Sequence, residues 1–254
     1  MIFLKHTEIC RAKIKYAIDF LFYSYFRLDL NSSTYDIVNS AIDKAYLDAV
    51  QQGAYNTLVP DNMKNKSAEI KDLAKNQILE FLASVSRDDY RIKHDTCCDN
   101  LVELYSEIRN KNNSELQAFT FGNAQKWVNM TTKYIYLICV VFSNITEQHP
   151  FKESIYSKFV DFEDILEIPI DSFILEKIWN DLPQVELPLR NSRNRNGKWS
   201  NDKVIPWSQW DKDMYVSFRN SFLQTVHNPI AWENTAWIEI AQARKQQTAG
   251  VDRK

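Results

Sequence analysis

Lys126 and Asp171 are the two residues whose type and local setting best suit covalent chemistry. Lys126 closes the run Gly122-Asn-Ala-Gln-Lys126 at the head of an apolar-periodic stretch. A lysine at a helix start faces the partial positive charge of unbonded backbone amides, which makes its ammonium harder to hold and its free amine easier to reach. A free amine attacks an electrophilic sugar carbon, and a carboxylate held nearby supports the cationic character that develops. Asp171 stands in Pro169-Ile-Asp171-Ser-Phe-Ile-Leu175, where the proline breaks the chain and the aspartate opens a helix. The plainer account of the pair is a solvated helix lysine and an N-capping aspartate. Gly122, just ahead of such a helix, also lets a phosphate approach backbone amides.

The element that must carry Lys126 is the stretch from Phe119 to Phe142. Trp127, Met130, Tyr134, Ile135, Ile138 and Val141 recur at the spacing that places an apolar stripe on one helix face, and Thr120 is positioned to cap its start. Gln125, Lys126, Asn129, Thr132, Lys133 and Tyr136 fall largely on the other side. This predicts an amide-and-amine face open to a ligand, with Asn123, Gln125 and Asn129 as contacts to nucleic acid beside Gly122 and Lys126.

The arrangement resembles the helix-hairpin-helix DNA glycosylase family, in which a glycine-rich hairpin is followed by a lysine and later by a Pro-x-Asp that opens another helix. The resemblance covers about a fifth of the chain by motif. It implies Lys126 as the amine nucleophile, Asp171 as the catalytic carboxylate and Gly122 as part of a hairpin that grips the DNA backbone. The family's second hairpin glycine is here Ala124, and the segment from Gln148 to Asp164 lengthens the gap between lysine and aspartate.

Two further groups bear on nucleic acid. Arg87-Asp-Asp-Tyr-Arg-Ile-Lys-His94 resembles the Arg-x6-His motif of HEPN-type ribonucleases, which implies His94 as the base for a ribose hydroxyl and Arg87 as the phosphate holder. A solvated arginine and a partly exposed histidine is the plainer account. The segment 181–210 holds three of the seven prolines and interleaves Arg190, Arg193, Arg195, Lys198 and Lys203 with Trp199, Trp207 and Trp210. Basic residues neutralise phosphates and indoles stack on unpaired bases, so the mixture suits a nucleic-acid groove. Tryptophans that merely anchor a loop are the alternative.

The rest of the chain narrows the class. Thirty-one Lys and Arg against 33 Asp and Glu leave no global field to attract a polyanion. Four glycines in 254 residues argue against a hairpin-rich β fold and against glycine-rich phosphate loops. Cys10, Cys97, Cys98 and Cys139 have no metal-ligand spacing, and His6, His149 and His227 are scattered, so neither a metal nor a cofactor is expected. No stretch reads as a signal peptide or a bilayer span, and the cytoplasm is the expected location.

Periodicity predicts helices from about Thr7 to Leu30, Thr34 to Gln52, Ser67 onward, 88 to 110, the central stretch, a short one after Pro150, one from Asp171, Asp211 to Val226 and Ala231 to Arg244. Gly53 is the expected stop of the second helix. The expected fold is all-α, a compact unit of eight to ten helices over 1–245 without strands, with possible lobes 1–115 and 116–245 and a frayed tail over 246–254. Trp232, Glu233, Trp237 and Glu239 read as packing plus a solvated face. Oligomeric state is left open. The leading functional expectation is a nucleic-acid-binding, glycosylase-like enzyme acting on a base in DNA. The alternatives are a HEPN-like ribonuclease and a non-catalytic helical interaction protein.

Overall fold

The computed structural model describes residues 15–51, 54–144, 148–190, 198–200 and 203–251. They form an all-α fold: α1 over 15–26, α2 (Thr34–Tyr46), α3 (Ala54–Leu58), α4 (Lys64–Ser84), α5 (Tyr90–Leu104), α6 (Phe121–Asn144), α7 (Ser172–Asp181), α8 (Lys212–Thr225) and α9 (Pro229–Val251). No helix among the described residues is long and apolar enough to cross a membrane. Cys10, His6, Gly53, Arg193 and Arg195 lie outside the described residues.

Local chemistry accounts for the helix starts. Ser33 caps α2, its Oγ accepting from Asp36 N at 3.1 Å while the hydroxyl donates to the Asp36 carboxylate at 2.6 Å. Asp171 caps α7 and Asp211 caps α8 in the same manner. The third expected start is corrected: α4 begins at Lys64, and Ser67 is a buried residue inside it, bonded to the Tyr55 hydroxyl at 2.7 Å.

Three other expectations differ. A two-stranded antiparallel hairpin pairs Arg109–Asn110 with Asn113–Gln117, where a strandless connection is expected. Its turn is built by asparagine side chains: Asn110 Oδ1 accepts from Asn112 N at 2.8 Å and Asn113 Oδ1 from Glu115 N at 3.1 Å. After Pro150 the chain forms two 3-10 turns, Pro150–Glu153 and Ser157–Phe162, which still drive Phe151 and Phe159 into the core. Helix α9 continues past Gln246 to Val251.

Helix α6 is the axis. It packs against α2 and α5 from the first half of the chain, against α8 from the second, and against the turn Trp207–Gln209. Trp127, fully buried, donates from Nε1 to Ile42 O at 3.1 Å and meets the Tyr46 ring at 4.8 Å, which locks α6 onto α2. The other face of α6, expected to be open, is largely covered too: Gln125, Lys126, Asn129 and Thr132 are buried, and Lys133 and Tyr136 are partly so.

The close approach of the Trp207–Gln209 turn needs Gly122. Its N–H donates to Trp210 O at 2.9 Å, and a Cβ on it would sit 1.8 Å from the Trp207 carbonyl oxygen and 2.9 Å from its carbon. Backbone cannot swing aside as a side chain does. Gly122→Ala is therefore expected to destabilise the fold by about 1–3 kcal/mol, read as a lower urea midpoint at unchanged slope. An unchanged midpoint would show that the turn yields freely.

Candidate functional site

A hollow of about 680 Å³ lies where α1, α2, α6 and α9 meet the start of α7. That volume is in the range of small-molecule sites. Lys126 and Asp171 both line it. The structure therefore brings the two residues of the sequence motif into one cavity despite the 148–164 segment between them.

Lys126 is only 8% exposed. Its Nζ lies 4.3 Å from the centroid of the Trp207 ring and has no hydrogen bond or ion pair among the described residues. An ammonium over an aromatic face gains a cation–π attraction, but a buried amine without a carboxylate partner is still costly to charge. Burial lowers its pKa, with Asp171, Asp48 and Glu233 pulling partly back. Desolvation is thus the main lever, where the sequence points to the helix amides. Asp171 is half-buried and uses Oδ1 to accept from Phe173 N at 2.9 Å and Ile174 N at 3.0 Å. No partner of Oδ2 is recorded among the described residues.

Two further polar groups line the cavity, and neither is singled out by sequence. Lys133 pairs with Glu233, a carboxylate 2% exposed whose pKa is raised by burial and held back by Lys133. Glu233 is thus corrected from the solvated face of α9 to the interior. On the other side Lys44 Nζ lies 2.7 and 2.8 Å from the two Asp48 oxygens. The Tyr134 hydroxyl donates to Asp48 Oδ2 at 2.7 Å, and the Tyr25 and Tyr134 hydroxyls are 2.6 Å apart. The Lys-x3-Asp spacing that runs from the end of α2 into the turn Leu47–Gln51 was the available signal for the second group, but it is indistinguishable from a surface ion pair. Phe22, Phe26, Leu137, Ile138, Val141 and Trp237 make the remaining wall apolar.

The amides expected at a nucleic-acid surface are corrected by their burial. Asn123, Gln125 and Asn129 are at most 1% exposed, and Gly122 is covered by the Trp207–Gln209 turn. Asn129 Nδ2 faces Gln125 Oε1, Ile168 O and Tyr215 Oη, each at 3.0 Å. Gln125 Nε2 donates to Gly122 O at 2.9 Å. These groups hold the core, and none presents a hydrogen-bonding edge to a duplex.

Arg87 and His94 do not form a joint site. Arg87 is exposed, paired with the Asp164 carboxylate and donating to Asp161 O at 2.6 Å. His94 has no exposure at all. In the loop, Arg190 bonds the Val204 carbonyl through Nε at 3.4 Å, and Trp199 packs edge-on against Trp179 at 5.8 Å. Arg190, Lys198, Trp199 and Trp207 are outside the lining of the Lys126 cavity, and this segment meets the site only where the Trp207 ring faces the Lys126 amine.

His94 belongs instead to a buried charge cluster. Asn129 Nδ2 points at the Ile168 carbonyl, a pure acceptor, so Asn129 Oδ1 faces His94 Nε2 at 2.9 Å and that nitrogen carries a proton. His94 Nδ1 meets Asp95 Oδ1 at 3.0 Å and Glu167 at 3.6 Å, so it carries one as well. Arg219 forks onto Asp95 at 2.6 and 3.0 Å and reaches Glu167 at 3.1 Å, and Tyr215 donates to Glu167. Two cations and two carboxylates balance. Burial alone would lower the His94 pKa, but Glu167 and Asp95 outweigh it and raise it above 6.5. Burial likewise works against the Asp95 carboxylate, which His94 and Arg219 nevertheless hold at about 2.

A histidine whose pKa is raised by folding stabilises the protein fully below its unfolded pKa, and that contribution is lost as pH rises through the folded pKa. His94→Gln should be less stable than wild type by about 1–3 kcal/mol at pH ~6, because it leaves two carboxylates, Glu167 buried and Asp95 partly so, with Arg219 as their only cation. The gap should narrow as pH climbs from roughly 6.5 toward 9. Urea unfolding of both proteins across that range decides it, and a gap that widens with pH would refute a charged His94. The chain matches no protein-family model, no curated protein and no solved structure.

Proposed function

We propose that the cavity at Lys126 is a reaction site in which the lysine amine is the nucleophile, and that the substrate is a nucleotide whose altered base has been swung out of DNA. The observation that carries this reading is the condition of Lys126: buried, unpaired among the described residues, with its pKa lowered, and in the same hollow as Asp171. An amine so placed is available in its neutral form closer to neutral pH than a surface lysine. Its lone pair would bond to the anomeric carbon as the base leaves with the electrons of the glycosidic bond. The proton released from nitrogen neutralises the departing base, and the Asp171 carboxylate stabilises the positive charge that builds on the sugar. A hollow of about 680 Å³ with aromatic walls accommodates an extruded base.

A second reading is favoured by the apolar wall of Phe22, Phe26, Leu137 and Trp237. In it the cavity holds a small amphipathic carbonyl compound, which Lys126 captures as an imine.

Trapping with borohydride separates these readings. The expected result is a covalent adduct between the protein and a duplex carrying one altered base or one abasic site, absent in Lys126→Gln. Asp171→Asn retains a good N-cap, so its stability should stay within about 0.5 kcal/mol of wild type while trapping on the altered base falls by about tenfold or more. An adduct formed equally by Lys126→Gln would remove the lysine from the mechanism. Adducts with small aldehydes alone would favour the second reading.

A further inference from the structure

At the end of the cavity formed by α1 and α2, the protons can be counted. Lys44 holds both Asp48 oxygens, and its ammonium also lies over the Tyr25 ring, 4.5 Å from the centroid. The Tyr134 hydroxyl has one proton, and the carboxylate oxygen 2.7 Å away is a stronger acceptor than a phenol, so that proton goes to Asp48 Oδ2. The 2.6 Å contact between the two hydroxyls then has Tyr25 as its donor. The remaining partner of the Tyr25 hydroxyl, Asp48 Oδ2 at 3.3 Å, is also an acceptor. In either case the Tyr25 proton points into the chain. Burial raises the pKa of the Tyr25 phenol, so it is a neutral hydroxyl with its proton in place.

What this end of the cavity presents outward is therefore a lone pair. Tyr134 is 4% exposed, whereas Tyr25 is 45% exposed and forms the accessible terminus of the Lys44–Asp48–Tyr134–Tyr25 chain. Both hydroxyl partners of Tyr25, Tyr134 and Asp48, line the Lys126 cavity, so the Tyr25 oxygen sits at its edge. The cavity thus holds two unlike polar groups, an unpaired amine beside a carboxylate and an acceptor oxygen.

We propose that Tyr25 is a specificity-determining residue of this cavity, whose oxygen accepts a hydrogen bond from a ring N–H of the substrate base while Lys126 engages the sugar. The inference rests on the glycosylase-like reading. It selects bases with a hydrogen on a ring nitrogen over those where that nitrogen is bare or alkylated, because the Tyr25 proton is committed inward and cannot serve a bare nitrogen.

The test uses the full chain with duplexes containing one uracil or one hypoxanthine, the same bases methylated at the ring nitrogen that bears hydrogen, and one abasic site. Tyr25→Phe keeps the ring and removes the acceptor. The expected result is base release from the N–H substrates slowed about tenfold, ~1.4 kcal/mol, with wild type slowed similarly by methylation and the variant indifferent to it. Trapping on the abasic duplex, which has no base to recognise, should be unchanged. An equal loss on the abasic duplex would mean that Tyr25 only supports the fold, and overturns the inference. Wild-type rates in Tyr25→Phe on every duplex overturn it too. Lys126-dependent trapping on the abasic duplex without release of either N–H base leaves the glycosylase-like reading standing and overturns N–H recognition. Absence of any Lys126-dependent adduct in wild type defeats the glycosylase-like reading itself, and this inference falls with it.

Discussion

The structure depends on how α6 buries amide and amine side chains that an ordinary surface helix would leave to water. A helix enclosed all round is normally apolar all round. Here Asn123, Gln125, Lys126 and Asn129 lie inside, so the elements packed on α6 must supply hydrogen-bond partners as well as hydrophobic contact. The Ile168 carbonyl before α7, Tyr215 on α8 and His94 on α5 converge on the single side chain of Asn129. A buried network of this kind fixes register: sliding α5 or α8 by a turn would strand several polar groups at once, at about 1–3 kcal/mol each.

Against that background Lys126 is an exception with a consequence. Gln125 and Asn129 on the same helix find hydrogen-bond partners, while its amine meets only the Trp207 ring and the fields of carboxylates that do not touch it. Lys133, two turns along, shows the alternative: a comparable lysine at the cavity wall that found a buried carboxylate in Glu233. One sequence thus places a neutralised lysine and an unneutralised one in the same hollow. The unneutralised one is held in place by the Trp207–Gln209 turn, which reaches α6 because Gly122 has no side chain. Structural demand at Gly122 and chemical availability at Lys126 are two effects of one backbone approach.

Much of the fold was legible because helix starts are written in local chemistry. Ser33, Asp171 and Asp211 cap where their types suggest. The apolar stripe of α6 is also plain from spacing. What periodicity could not reveal is whether the polar stripe opposite it faces water or other polar groups, since that depends on distant residues such as Tyr215 and the Ile168 carbonyl. The same limit explains His94: an Arg and a His seven positions apart look like a pair in sequence, yet Arg87 is exposed and His94 enclosed. Glu233 was hidden for the opposite reason, because a glutamate on a closing helix gives no local sign that a lysine a hundred positions away will bury it.

The candidate site was half legible. Lys126 and Asp171 are named by their motif, and the cavity joins them. Tyr25, Lys44, Asp48 and Tyr134 are not, because their relation exists only when α1, α2 and α6 meet. That meeting is itself governed by the core: Trp127 locks α6 to α2, while Tyr25 and Phe26 pack edge-on against Tyr134. Trp127 and Tyr134 lie on one apolar stripe, so the contacts that assemble the bundle also set the polar chain at the cavity edge. The charge cluster around His94 braces α6 from its far side through Asn129, one turn beyond Lys126. A rigid α6 matters for an unpaired amine, because a mobile one would find a carboxylate. Asp171, Asp48 and Glu233 are near enough to be felt; Asp48 and Glu233 are already held by Lys44 and Lys133, whereas Asp171 commits one oxygen to the α7 amides and keeps the other for the cavity.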